Sequence, residues 1–191
     1  MASRLFQVLL IVSIVGCSWL GMMVVHELGH VLHLAFTGGT VDYVVLHPLA
    51  ISYTHPGKNP HPLIVAWGGM VWGCAIPLGL FAIVRAVARP LAYLAAFFAG
   101  FCLMANGAYL AGDAFMQGGD GRELVAYGSP PWLLVMVGLV GVAGGLYLWN
   151  GLGPRFGLGL ARGNVDRRAA IGTFLALIAT IVLELVLSSA P

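Results

Sequence analysis

The sequence predicts an all-α integral membrane protein. It reads as one polytopic domain over residues 1–191, with about five transmembrane helices and a short extended hairpin after the first. Three observations predict this. Of the 191 residues, 60% are hydrophobic and 8% are charged, whereas a soluble domain carries about 25% charge. Five apolar stretches reach the roughly 20 residues needed to cross a bilayer, and each is bounded by Pro, Gly or charge. The connections leave no room for a separate soluble domain, and no long internal repeat interrupts them.

The first helix is expected over residues 5–36. A rival reading starts from Arg4, the apolar run and Ile14-Val15-Gly16-Cys17, which resemble a lipoprotein signal with its lipid-accepting cysteine. The run continues through Trp19, Leu20 and Met22 to Val25, longer than the core of a cleaved signal, so a retained spanning helix is expected. Residues 41–45 are rich in β-branched side chains and predict a strand. His47-Pro48 turns the chain, and residues 50–53 are expected to return as the second strand. The remaining helices are expected over residues 62–84, 90–111, 131–149 and 169–187.

Charge placement predicts orientation. Arg4, Arg85, Arg89, Arg155, Arg162, Arg167 and Arg168 fall at one set of helix ends, and only Lys58 and Arg122 fall at the other. The positive-inside rule then predicts a multi-pass cell-membrane protein with its N-terminus in the cytoplasm and its C-terminus outside. A net charge of +2 and the lack of a basic run argue against a nucleic-acid partner. Cys17, Cys74 and Cys102 lie inside apolar runs and show no pairing pattern.

Within the first apolar stretch, residues 24–33 read VVHELGHVLH. His26-Glu27-Leu28-Gly29-His30 is an H-E-x-x-H motif. On a helix, positions i and i+4 share a face, so two imidazoles can bind one Zn²⁺ at about 2.0–2.1 Å. The intervening glutamate can take a proton from water at the metal. Ionisable groups in a spanning helix are costly and point to function. The competing reading is that these groups simply reach water. A helix entering hydrocarbon near Leu5 rises about 30 Å by about residue 25, which leaves His26 at the boundary. An interface alone does not call for two histidines at ligand spacing around a glutamate. His33 is expected to support the site or sit at the interface. Gly29 keeps the helix thin enough for another backbone to approach.

A catalytic zinc needs a third protein ligand and an open position. His47, His55 and His61 lie in the first loop. Asp113 and Asp120 follow the third stretch, at the membrane face where His26 and His30 emerge. Asp120 sits in Gly118-Gly119-Asp120-Gly121-Arg122 at an expected helix start. The glycines promise a flexible approach to a metal. A helix-capping role for Asp120, or pairing with Arg122, is the structural alternative. Glu184, alone in the last apolar stretch, is expected near the interface.

These residues resemble the site-2 protease family of intramembrane zinc metalloproteases, in its smaller, peptidase-related branch. The resemblance rests on His26-Glu27-Leu28-Gly29-His30, Thr37-Gly38-Gly39-Thr40-Val41 with Val44-Val45-Leu46, Ala66-Trp67-Gly68-Gly69-Met70, and Asp120-Gly121-Arg122-Glu123-Leu124. It covers residues 20 to 130 and leaves the last two helices unmatched. It implies His26, His30 and Asp120 as zinc ligands, with Asp113 the alternative third ligand. It also implies Glu27 as general base and Asn106 as a group that positions substrate. The expected activity is hydrolysis of a peptide bond in a membrane-protein or peptide substrate, at or within the bilayer. The alternative is a non-proteolytic metal-binding membrane protein, a scaffold or transporter that keeps the zinc site.

Overall fold

In lipid, a backbone must satisfy its own N–H and C=O groups, and a helix does this within one segment. The computed structural model describes residues 2–116 and 118–188 of the chain. α1 (Ala2–Phe36) leads into β1 (Val41–Val45) and β2 (Tyr53–Pro56). Then follow α2 (Pro62–Val87), α3 (Ala92–Met116), the short α4 (Gly119–Ala126), α5 (Pro131–Trp149) and α6 (Arg167–Ser188). All of the helices except α4 are long and apolar enough to cross a membrane. Val12, Ile83, Val140 and Val186 are exposed on their outer faces, as suits a surface solvated by lipid. Pro62 and Pro131 open α2 and α5, where the missing N–H has no partner to lose.

Two local features differ from the sequence expectation. α3 continues to Met116 rather than ending near residue 111, because no proline stops it before the glycines at 118 and 119. Asp113 therefore lies buried within a helix. The second strand starts at Tyr53, not at residue 50. The turn after β1 is closed by the Ala50 N–H on the His47 carbonyl and the Leu49 N–H on His47 Nδ1, both at 3.1 Å. Residues up to Ser52 are taken up by turning, and antiparallel pairing begins at Val45 with Tyr53. Cys17 lies in the middle of α1, and its thiol donates to the Thr173 carbonyl of α6 at 3.4 Å.

Small residues set the close helix contacts, because glycine lets backbones approach where lipid offers no hydrophobic drive. A Cβ on Gly29 of α1 would overlap the Gly68 carbonyl of α2, and a Cβ on Gly68 would overlap that of Gly29. Gly107 of α3 and Gly138 of α5 stand in the same mutual relation. Two apolar cores result. One joins Leu10, Ile14, Tyr93, Phe156, Ala169 and Ala170 at the arginine-rich end. The other joins Ala66, Met70, Leu110, Leu124 and Leu134 at the opposite end.

Replacing Gly138 with Leu is expected to force α3 and α5 apart and to cost about 1–3 kcal/mol. Gly112→Leu, where an added Cβ meets nothing within 4 Å, is expected to change stability by less than about 0.5 kcal/mol. Thermal unfolding of the detergent-solubilised protein compares the two.

Candidate metal centre

The centre lies where α1, α2, α3 and α4 meet. His26, Glu27 and His30 occupy consecutive turns of α1, and both histidines face α2 across the Gly29–Gly68 crossing. α4 brings Asp120 from the other direction. Asp120 Oδ2 lies 2.8 Å from His26 Nε2 and 3.3 Å from His30 Nε2, and the two Nε2 atoms are 3.2 Å apart. Among the described residues these three form the group with metal-ligand spacing, with ligand atoms within 4.8 Å of one another.

The remaining ring nitrogens are already engaged. His30 Nδ1 donates to the Val65 carbonyl at 2.8 Å. His26 Nδ1 lies 2.6 Å from Asn106 Oδ1, while Asn106 Nδ2 donates to the Cys102 carbonyl at 2.9 Å. That second bond fixes the amide so that its oxygen accepts from His26. With both protons held at Nδ1, the Nε2 lone pairs and the Asp120 carboxylate point at one another. Three acceptors this close are satisfied by a positive centre between them, a shared proton or a metal ion.

Zinc fits this arrangement. Ligand atoms about 2.0–2.1 Å from a tetrahedral ion stand about 3.3 Å apart, close to the separations seen here. The hydrogen bonds at Nδ1 are the kind that orient metal-binding imidazoles. Gly69 completes the cradle: a Cβ there would lie 2.5 Å from both Nε2 atoms. Asp120 itself lies outside the spanning helices. Where protons rather than an ion occupy the two Nε2 atoms, burial opposes its ionisation, yet hydrogen bonds from the charged His26 and His30 hold its carboxyl well below the usual carboxylate range.

The other sequence candidates lie elsewhere or act differently. Asp113 does not join the ligand group; its Oδ2 accepts the Gly121 N–H at 3.4 Å and so ties α4 to α3. Asp120 is not a helix cap, since Gly118 occupies that position, and among the described residues it pairs with the two histidines and not with Arg122. Gly119 and Gly121 serve close packing rather than a loose approach. Gly119 has φ +44°, and a Cβ there would overlap the Tyr109 hydroxyl; a Cβ on Gly121 would overlap Asp113. His33 Nδ1 bonds the Ile64 carbonyl at 2.6 Å, outside the ligand group. His47 shapes its own turn, His55 pairs with Asp42 at 3.5 Å, and His61 precedes α2. Asn106 is buried, and its side chain bonds His26.

Three residues enter the site without having been singled out in the sequence. Ser52 Oγ donates to Glu27 Oε1 at 2.8 Å, and Thr54 Oγ1 donates to Oε2 at 2.7 Å. Both come from the hairpin, whose alternate side chains 52 and 54 point to α1. Their serine and threonine chemistry is common in loops and gave no local signal. Tyr109 stands edge-on to His26 with ring centres 6.1 Å apart. Its place one turn before Asp113 was a signal only once α3 was known to continue. Beside Glu27 and the three ligand residues opens a cleft of about 740 Å³, walled by residues 51–56 of the hairpin and by Tyr109. A second, mainly apolar cavity of about 260 Å³ adjoins His26 and Glu27 and is lined by Trp19, Met22, Met23 and Ile51.

Comparison of the chain with protein-family profiles, with curated proteins and with solved structures finds no match.

Purified protein is expected to bind one zinc per chain by elemental analysis. His26→Ala, His30→Ala and Asp120→Ala should each lose it, Asp113→Asn should retain it, and Asn106→Ala should weaken it by about 10–100-fold. Gly69→Ala, which puts a methyl against both Nε2 atoms, should abolish binding in a folded protein.

Proposed function

We propose that this protein is a zinc metalloprotease that hydrolyses a peptide bond of a membrane-protein substrate at or within the bilayer. The observation that carries this reading is the convergence of His26, His30 and Asp120 with Glu27 one residue from a ligand, beneath a strand that walls an open cleft. His26, His30 and Asp120 would hold the ion, and a bound zinc supplies a Lewis acid for the scissile carbonyl and a water acidified toward neutrality.

The chain supplies the rest. Glu27 is buried, and its two oxygens accept hydroxyl hydrogens from Ser52 and Thr54. Those bonds fix the plane of the carboxyl group. Glu27 is then placed to take a proton from the attacking water and to deliver it to the departing amine. β2 offers backbone groups beside the cleft, so an extended substrate segment can pair there and expose its carbonyl. The adjoining apolar cavity suits a hydrophobic side chain next to the scissile bond, as a membrane-helix substrate would present. In the proposed orientation the N-terminus is cytoplasmic and the C-terminus external, which sets the site at the outer half of the cell membrane.

One observation favours the second reading, a scaffold or transporter that keeps the metal. Each Glu27 oxygen accepts one hairpin hydroxyl, so the carboxylate also serves to hold the hairpin against α1, a role that a scaffold or transporter would need as well.

Glu27→Gln separates the two readings. In proteoliposomes with a fluorogenic membrane-helix substrate, the variant is expected to keep its zinc and lose at least about 10²-fold in kcat. Unchanged cleavage, or no cleavage by wild-type protein across a panel of such substrates, would sink the protease reading. Ser52→Ala combined with Thr54→Val is expected to keep zinc and lower kcat by about tenfold, as loss of supporting hydrogen bonds does elsewhere.

A further inference from the structure

At the end of the bundle opposite the metal centre, a cavity of about 450 Å³ opens between α2, α3 and α5. Three arginines line it: Arg85 from the last turn of α2, Arg89 from the 3-10 turn Arg89–Leu91, and Arg155 from the 3-10 turn Gly153–Phe156. None of the three has an ion-pair partner among the described residues. The carboxylate that lines the next cavity with Arg155, Asp166, forms no ion pair with any of them; its Oδ1 accepts the backbone N–H groups of Arg168 and Ala169 at 2.8 and 3.3 Å. The three arginines are exposed to the cavity side of the bundle end and offer three unpaired guanidinium groups to an anion there.

A second, independent observation points the same way. Tyr93 lines this cavity and its neighbour, is only 8% exposed, and has a buried hydroxyl without a hydrogen-bond partner. A buried hydroxyl left unpaired is costly and marks a place where a missing partner belongs. The rest of the wall is apolar, with Phe81 and Leu148 on the flanks of the spanning helices. Cationic and hydroxyl donors at the helix ends, continued by apolar surface along the helices, match a molecule with an anionic head and a hydrocarbon tail.

We infer that this cavity is a binding site for the phosphate headgroup of an anionic phospholipid. Arg85, Arg89 and Arg155 contact the phosphate oxygens, guanidinium groups being suited to bidentate phosphate contacts. An acyl chain lies along Phe81 and Leu148. A basic pocket between spanning helices on the arginine-rich face is a setting in which headgroups are held. The inference is independent of the proposed protease activity.

The test is native mass spectrometry of the full chain in detergent, titrated with phosphatidylglycerol, with phosphatidylcholine of the same acyl chains, and with inorganic phosphate. Wild type is expected to bind phosphatidylglycerol in preference to phosphatidylcholine. Inorganic phosphate should not displace the lipid at equal concentration. The triple variant Arg85→Gln/Arg89→Gln/Arg155→Gln should bind phosphatidylglycerol about a hundredfold more weakly, from the roughly fivefold that each arginine contributes at an anionic lipid surface. Tyr93→Phe, which removes only the hydroxyl, should weaken it by a smaller factor. Arg162→Gln/Arg168→Gln, at the same end but outside the cavity, should bind as wild type. The proposal is overturned if the triple variant binds normally, if phosphatidylcholine binds equally well, or if free phosphate competes on equal terms. It is also overturned if the Arg162/Arg168 control weakens binding as much, since attraction would then belong to the whole face. Circular dichroism and elution volume establish that each variant is folded.

Discussion

The backbone contact between Gly29 of α1 and Gly68 of α2 is the constraint on which the candidate site depends. It brings α2 close enough for the Val65 carbonyl to take the His30 Nδ1 proton and for Gly69 to lie against both imidazoles. Any side chain at these positions would move one helix away from the other and open the donor set. The two histidines acquire a common direction from that crossing, not from their own spacing alone. Asn106 then fixes the second imidazole from α3, and Asp120 closes the set from α4. Four helices thus agree on one point, and each contributes a contact that the others cannot replace.

Much of this was legible in the sequence, for identifiable reasons. Five apolar runs bounded by breakers become helices because lipid leaves the backbone no other partner. His26, Glu27 and His30 declare themselves through spacing within one helix, a local property. Topology alone brings the end of α3 to the same face, which narrows the third ligand to two aspartates. The choice between them was not legible, because it depends on where α3 stops. Asp113 remains inside the helix and ties α4 down, and the next glycines release Asp120 toward the histidines. The hairpin's hold on Glu27 was hidden for a different reason. Ser52 and Thr54 reach it across 25 and 27 residues, and their common direction follows from the alternation of an extended segment whose docking on α1 is a tertiary contact.

The hairpin links chemistry to access. Its inward side chains hold the carboxylate proposed as base, and the same segment walls the cleft by which a substrate would enter.

The chain has two apolar cores, one at each end of the bundle, with no residue in common. A perturbation of one core reaches the other only through the helices that run between them, as α3 does from Tyr93 to Leu110, and effects at separated sites in proteins usually add. The ends are therefore free to drift separately. The arginine-rich half can be retuned to membranes of different composition while the histidine-bearing half stays as it is, provided the glycine contacts of α1 with α2 and of α3 with α5 are kept.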